Sequence, residues 1–116
     1  MQEMDTGPAP HYEHDALTEK IIGCAFTVLN TLGPGFLEKV YENALAHELR
    51  YDGVVVGEFQ PDLLVEGVVL VELKAVQALG DAHLAQCINY LKATGLKTCL
   101  LLNFGSPRLG IKRVSL

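Results

Sequence analysis

Residues 54–59, 62–65 and 68–76 form three Val- and Leu-rich runs with only short turn-like breaks between them. Such runs read as neighbouring strands of a largely buried sheet. The charges set into them, Asp62, Glu72 and Lys74, therefore need a reason to be there. Glu66-Gly67 is the turn signal between the second and third runs. Glu72 and Lys74 are two apart, so their side chains leave the same face of a strand while Leu73 points to the other.

Whether Asp62 joins them depends on that turn. A strict two-residue turn pairs Asp62 with Val71 and sends its carboxylate to the wrong face, because the side-chain period of a strand is two. A three-residue turn, or a bulge with Gly67 at positive φ, brings Asp62 to the face of Glu72 and Lys74. The spacing therefore predicts a hairpin that is not a simple two-residue one.

The remaining chain supplies helices. From Asp15 onward Leu17, Ile21, Ile22, Cys24, Ala25, Val28, Leu29 and Leu32 recur at helical spacing, with Asp15 or Thr18 as a cap, until Gly33-Pro34-Gly35 stops the run. A second helix is expected over about 36–50, burying Leu37, Val40, Tyr41, Ala44, Leu45 and Leu49. Asp81 can cap a third that Gly95 closes. Residues 98–104 are another strand and 111–114 a short last one. Helices bracketing strands in this order predict an α/β fold in which the third helix crosses over to make its two strands parallel.

Residues 1–14, with Gly7, Pro8 and Pro10 and no apolar period, read as a flexible leader, and residues 15–116 as one domain. At 116 residues the chain has material for one core. No run approaches the roughly 20 apolar residues of a membrane span, and no apolar secretion segment opens the chain, which points to the cytoplasm. Cys24, Cys87 and Cys99 are odd in number, widely spaced and embedded in apolar runs. They read as buried thiols rather than as a zinc site or a disulfide framework. The net charge of −5 argues mildly against a general nucleic-acid binder, although carboxylates that hold a cation reverse their local effect. Arg108, Lys112, Arg113, Lys92 and Lys97 are candidates for a positive rim or for solvated surface charge.

Two carboxylates and an ammonium on adjoining strands are the minimal kit for holding a hard divalent cation beside a phosphate. Asp62 and Glu72 would bind Mg²⁺ through oxygen, relieving their mutual repulsion. Lys74 would orient the attacking water, lower its pKa or stabilise charge developing on the phosphate. An isolated Glu-x-Lys on a strand is commonplace, but a charged pair flanked on both sides by a buried apolar run needs partners. On the second helix Glu38 and Tyr41 are one turn apart, which gives Glu38 a route to the metal, directly or through water. On the third helix Gln86 and Tyr90 share a face, one suited to a metal-bound water or the substrate backbone, the other to phosphate.

Gly35-x-x-Glu38-x-x-Tyr41, Pro61-Asp62…Glu72-x-Lys74, Gln86-x-x-x-Tyr90 and Leu102-Asn103-Phe104-Gly105 come in an order that resembles the GxxExxY family of the PD-(D/E)XK nuclease superfamily. The resemblance implies a restriction-endonuclease-like α/β core, a mixed central sheet flanked by helices in the order α-α-β-β-α-β-β. It also implies Mg²⁺- or Mn²⁺-dependent phosphodiester cleavage in DNA or RNA. By the same resemblance Glu38, Asp62 and Glu72 are metal-site acids, Lys74 is the catalytic lysine, and Gln86 with Tyr90 is the auxiliary motif of RecB-like nucleases. The alternative is a catalytically inactive nuclease-fold module serving protein–protein contacts or a nucleic-acid complex.

Family members usually carry a strand-length segment between the helix with Glu38 and the Tyr-x-Gly that follows it. Here Arg50 runs directly into Tyr51-Asp52-Gly53. Asp52-Gly53 is a hairpin-turn signal with a strand on only one side, so one strand is expected to be missing between Arg50 and Tyr51. That loss would leave Val54 to Phe59 as an exposed edge through which a homo-oligomer forms.

Overall fold

The computed structural model describes residues 14–59 and 62–116. The expected leader lies outside the described residues except for His14, as does Pro61. Among the described residues three helices, α1 (Asp15–Leu32), α2 (Glu38–Tyr51) and α3 (Asp81–Thr94), accompany five strands, β1 (Val56–Phe59), β2 (Asp62–Val65), β3 (Val69–Lys74), β4 (Thr98–Asn103) and β5 (Gly110–Ser115). The order is α-α-β-β-β-α-β-β. All three runs before α3 pair as separate strands, one more than the expected order allowed.

The sheet follows chain order, β1-β2-β3-β4-β5, antiparallel except between β3 and β4. That parallel pair is joined through α3, as a crossover connection requires. β4 is buried along its whole length and β3 everywhere but Lys74. Continuous apolar runs produce this, because helices cover both faces. Leu63, Val65, Val69, Val71, Leu73, Leu100 and Leu102 face the core built with α1 and α2. Leu70, Cys99 and Leu101 face Cys87 and Leu91 of α3.

The helix termini differ from expectation. His14, in left-handed geometry at φ 63°, occupies the N-cap of α1. Asp15 instead pairs with Arg113 of β5 at 2.8 Å, and Thr18, whose hydroxyl donates to the Asp15 carbonyl, accepts from the same guanidinium. This spends Arg113 on closing α1 against the sheet rather than on a positive rim. Gly80, not Asp81, caps α3, and its N–H donates to Nδ1 of His83 at 3.0 Å. Gly95 ends that helix at φ 78°, as expected. Leu37 and Val40 are exposed, the first at 79%, because α2 buries Tyr41, Leu45, Ala46 and Leu49 instead.

The role of Asp52-Gly53 is also different. The Val54 N–H donates to the Leu49 carbonyl and the Gly53 N–H to that of Arg50, with Gly53 at φ 82°. These two bonds, with Val54 and Leu49 both in the core, are the Schellman ending of a helix. The dipeptide terminates α2 and leaves no orphaned hairpin. β1 is an edge strand, as expected for 54–59, though it starts at Val56. Its pairing with β2 turns the Val55 backbone inward, toward Glu66, so alternation turns Val56 outward. Arg50 of α2 donates to that outward Val56 carbonyl at 3.0 Å.

Candidate functional site

The β2–β3 turn places Glu66 and Gly67 at φ 54° and 70°, with the Val68 N–H donating to the Val65 carbonyl at 3.1 Å. Positive φ at both central residues is the type I′ geometry, and Val68 adds a third loop residue before the ladder resumes at Val65↔Val69. A glutamate tolerates the left-handed region here because its N–H donates to the Val55 carbonyl while its carboxylate accepts from the Val55 N–H at 2.7 Å. The register Leu63↔Val71, carried one residue further, sets Asp62 opposite Glu72. Opposed residues share a face. The carboxylates of Asp62 and Glu72 and the ammonium of Lys74 therefore lie on the α3 side of the sheet, as the three-residue reading requires.

Both carboxylates are withdrawn from water, Asp62 at 4% and Glu72 at 1% exposure. Glu72 divides its oxygens: Oε2 lies 3.6 Å from Lys74 Nζ, and Oε1 accepts a hydrogen bond from the Cys87 thiol at 3.2 Å. Asp62 Oδ2 is buried with no hydrogen-bond partner among the described residues. Burial lifts the Asp62 carboxyl from 3.8 to about 7, and the neighbouring Glu72, Glu42 and Glu38 push the same way against Lys74. Such a group is stable neutral or beside a cation, and costly as a bare anion. Two opposed carboxylates with an unsatisfied buried oxygen are a donor set that fits a hard divalent cation.

Glu38, the first residue of α2, is exposed, and it reaches Asp62 through its charge. Tyr41, expected on the buried face of α2, is fully buried. Its hydroxyl donates to the Gly33 carbonyl at 2.6 Å and accepts from the Phe36 N–H at 3.1 Å, while its ring stacks on Phe104 at 4.8 Å. It fastens the loop that delivers Glu38, a positioning task. Gln86 and Tyr90 face each other on α3, with the amide donating to the phenol oxygen at 3.2 Å. Their helix meets the cluster through Cys87, one residue beyond Gln86.

Several participants were not legible from sequence. Cys87 and Cys99 flank Glu72, and their mutual contact, burial and the Glu72 carboxylate together hold the Cys87 thiol firmly protonated. In the sequence Asn103 is only one letter of the Leu102-Asn103-Phe104-Gly105 motif. Its Oδ1 accepts from the N–H of Val76 and of Gly105, and its Nδ2 donates to the Val76 carbonyl, at 2.9–3.0 Å. A side-chain amide thus extends the parallel β3–β4 pairing past Lys74. Gly105 is forced by the same approach, since a Cβ there would lie 2.0 Å from the Val76 carbonyl oxygen.

No curated protein and no solved structure matches the chain significantly. A family model of the PD-(D/E)XK nuclease superfamily matches residues 15–55 and 48–114, spanning every element from α1 to all but the last residue of β5. With this span and with helices on both faces of a mixed five-stranded sheet, consistent with a restriction-endonuclease-like fold, the chain belongs to the PD-(D/E)XK nuclease superfamily.

Proposed function

We propose that this chain is a Mg²⁺- or Mn²⁺-dependent nuclease of the GxxExxY type, with residues 15–116 as its one domain. The observation that carries the reading is the buried Asp62 carboxylate, opposed to Glu72 and holding an oxygen that no described protein group satisfies. Asp62 and Glu72 would hold the cation, with Glu38 contributing from α2. The cation would supply Lewis-acid stabilisation of the scissile phosphate and a more acidic water. Lys74, on the face of Glu72, would orient that water and offset negative charge on the phosphate oxygens. Gln86 and Tyr90 would steady the substrate backbone. The three free cysteines agree with a reducing compartment such as the cytoplasm.

Cleavage of labelled single- and double-stranded DNA and RNA with Mg²⁺ or Mn²⁺ tests this. Wild type should cut at least one substrate, and Lys74→Ala and Asp62→Asn should each lose roughly 10²–10³-fold. Activity that survives both substitutions places the chemistry elsewhere.

A second reading, an inactive nuclease-fold interaction module, is favoured by the exposed Phe36, Leu37 and Val40 beside Glu38 and by the net charge of −5. No cleavage and no heat of Mg²⁺ binding by calorimetry would establish it over the first. A shortened α2–β1 connection is supported by the family match breaking into two pieces that overlap at 48–55. We also propose homo-oligomerisation through the β1 edge, tempered by Arg50 on the Val56 carbonyl. Monomeric behaviour at micromolar concentration in sizing experiments counts against it.

A further inference from the structure

Glu72 has a second side. Cys99 pairs in register with Leu70, so alternation brings its thiol to the face from which Glu72 projects, and α3 lowers Cys87 onto both. One ligand atom each from Glu72, Cys87 and Cys99 lies within 4.8 Å of the others, and all three residues are buried. The contact now made is a weak one. A thiol is a poor hydrogen-bond donor, and a carboxylate at 1% exposure gains little from it against the cost of leaving water.

We propose that Cys87, Cys99 and Glu72 form a binding site for a thiophilic divalent cation, Zn²⁺, on the side of Glu72 turned away from Lys74. Zn–S bonds of about 2.3 Å and Zn–O bonds of about 2.0–2.2 Å place tetrahedral ligands roughly 3.5–3.8 Å apart. A contraction of about 1 Å within the triangle meets that demand, within the reach of side-chain rotation. Binding displaces the two thiol protons to solvent and leaves two thiolates, one carboxylate oxygen and an open fourth position. The donors select the metal: two sulfurs favour Zn²⁺ over Mg²⁺, whereas the all-oxygen side toward Asp62 has the reverse preference. Glu72 would thus stand between two cation sites of opposite character. This site is independent of whether the chain cleaves nucleic acid.

The test uses the full chain, stripped with a chelator and titrated with Co²⁺, the spectroscopic stand-in for Zn²⁺. A sulfur-to-cobalt charge-transfer band with tetrahedral ligand-field bands is expected, displaced by Zn²⁺ but not by excess Mg²⁺. Cys87→Ser and Cys99→Ser should each weaken binding by more than about 100-fold, above the loss typical of an outer-sphere partner. Cys24→Ser should bind as wild type, because that thiol lies in the other core beside Asp52. No charge-transfer band in folded wild type, or an unchanged band in the serine variants, overturns the proposal. If a serine variant loses its circular-dichroism signature, the ¹¹³Cd resonance of the wild-type Cd²⁺ complex decides. A shift typical of two sulfur ligands supports the site, and an all-oxygen shift overturns it.

Discussion

The two faces of the sheet are buried alike and built differently. Toward α1 and α2 the strands present Leu63, Val65, Val69, Val71, Leu73, Leu100 and Leu102 to an apolar core. Toward α3 they present Leu70, Cys99 and Leu101, and then Asp62, Glu72 and Lys74 at one end. The first face gains stability from every group it hides. The second hides ionisable groups whose withdrawal from water opposes folding, and no gain in packing requires them. Ionisable groups that a fold keeps buried at a cost are candidates for a working site.

The largest effect that separates the faces is expected at Leu100. Leu100→Ala should cost roughly 2–5 kcal/mol in urea unfolding, since it opens a cavity in the apolar core; a loss below about 1 kcal/mol would dissolve the contrast. Asp62 should respond in the opposite direction. Its carboxyl titrates near 3.8 when unfolded and at about 7 when folded, so between these values the folded chain binds more protons. Metal-free stability therefore falls as pH rises from about 4 to about 7 and levels off above. Asp62→Asn removes that loss and should stabilise the metal-free chain at pH 8 by up to about 4 kcal/mol relative to its effect at pH 4. Equal effects at both pH values would deny that Asp62 is a cost.

Asn103→Ala removes the clamp on Val76 and should destabilise by roughly 1–3 kcal/mol. Faster amide exchange at Val76 and Gly105 would locate the damage at the polar end of the sheet. The smallest effect belongs to Asp15→Asn. Its ion pair with Arg113 is partly exposed on both sides, and thermal melts should register less than about 1 kcal/mol. A larger loss would move part of the folding energy away from the cores.

The strands were legible because Val and Leu runs leave few alternatives, and the hairpin register because a strict two-residue turn would part Asp62 from Glu72, whereas a three-residue turn or a bulge unites them. Asp52-Gly53 was misread for a physical reason. The same dipeptide suits the left-handed geometry of a hairpin turn and of a helix ending, and the helix reaching Tyr51 decides between them. Leu37 and Val40 were misplaced because Leu37 is the N-cap of α2 and the buried stripe of that helix runs through Tyr41, Leu45, Ala46 and Leu49, to one side of Val40. Cys87 on Glu72 was invisible, since nothing in a list of residues says that a helix residue will settle onto a strand residue fifteen positions earlier. Asn103 showed only as a letter in a motif until its amide was seen pairing with Val76.

That amide has an architectural consequence. With Val76 gripped by Asn103 and pressed against Gly105, the segment leading to α3 is anchored at its root, while Gln77 and Ala78 stand in the open. Inserted residues at 77–78 would hang from a fixed base a few positions past Lys74, so this connection is a natural graft point for altering what reaches the carboxylates without disturbing the strands that carry them.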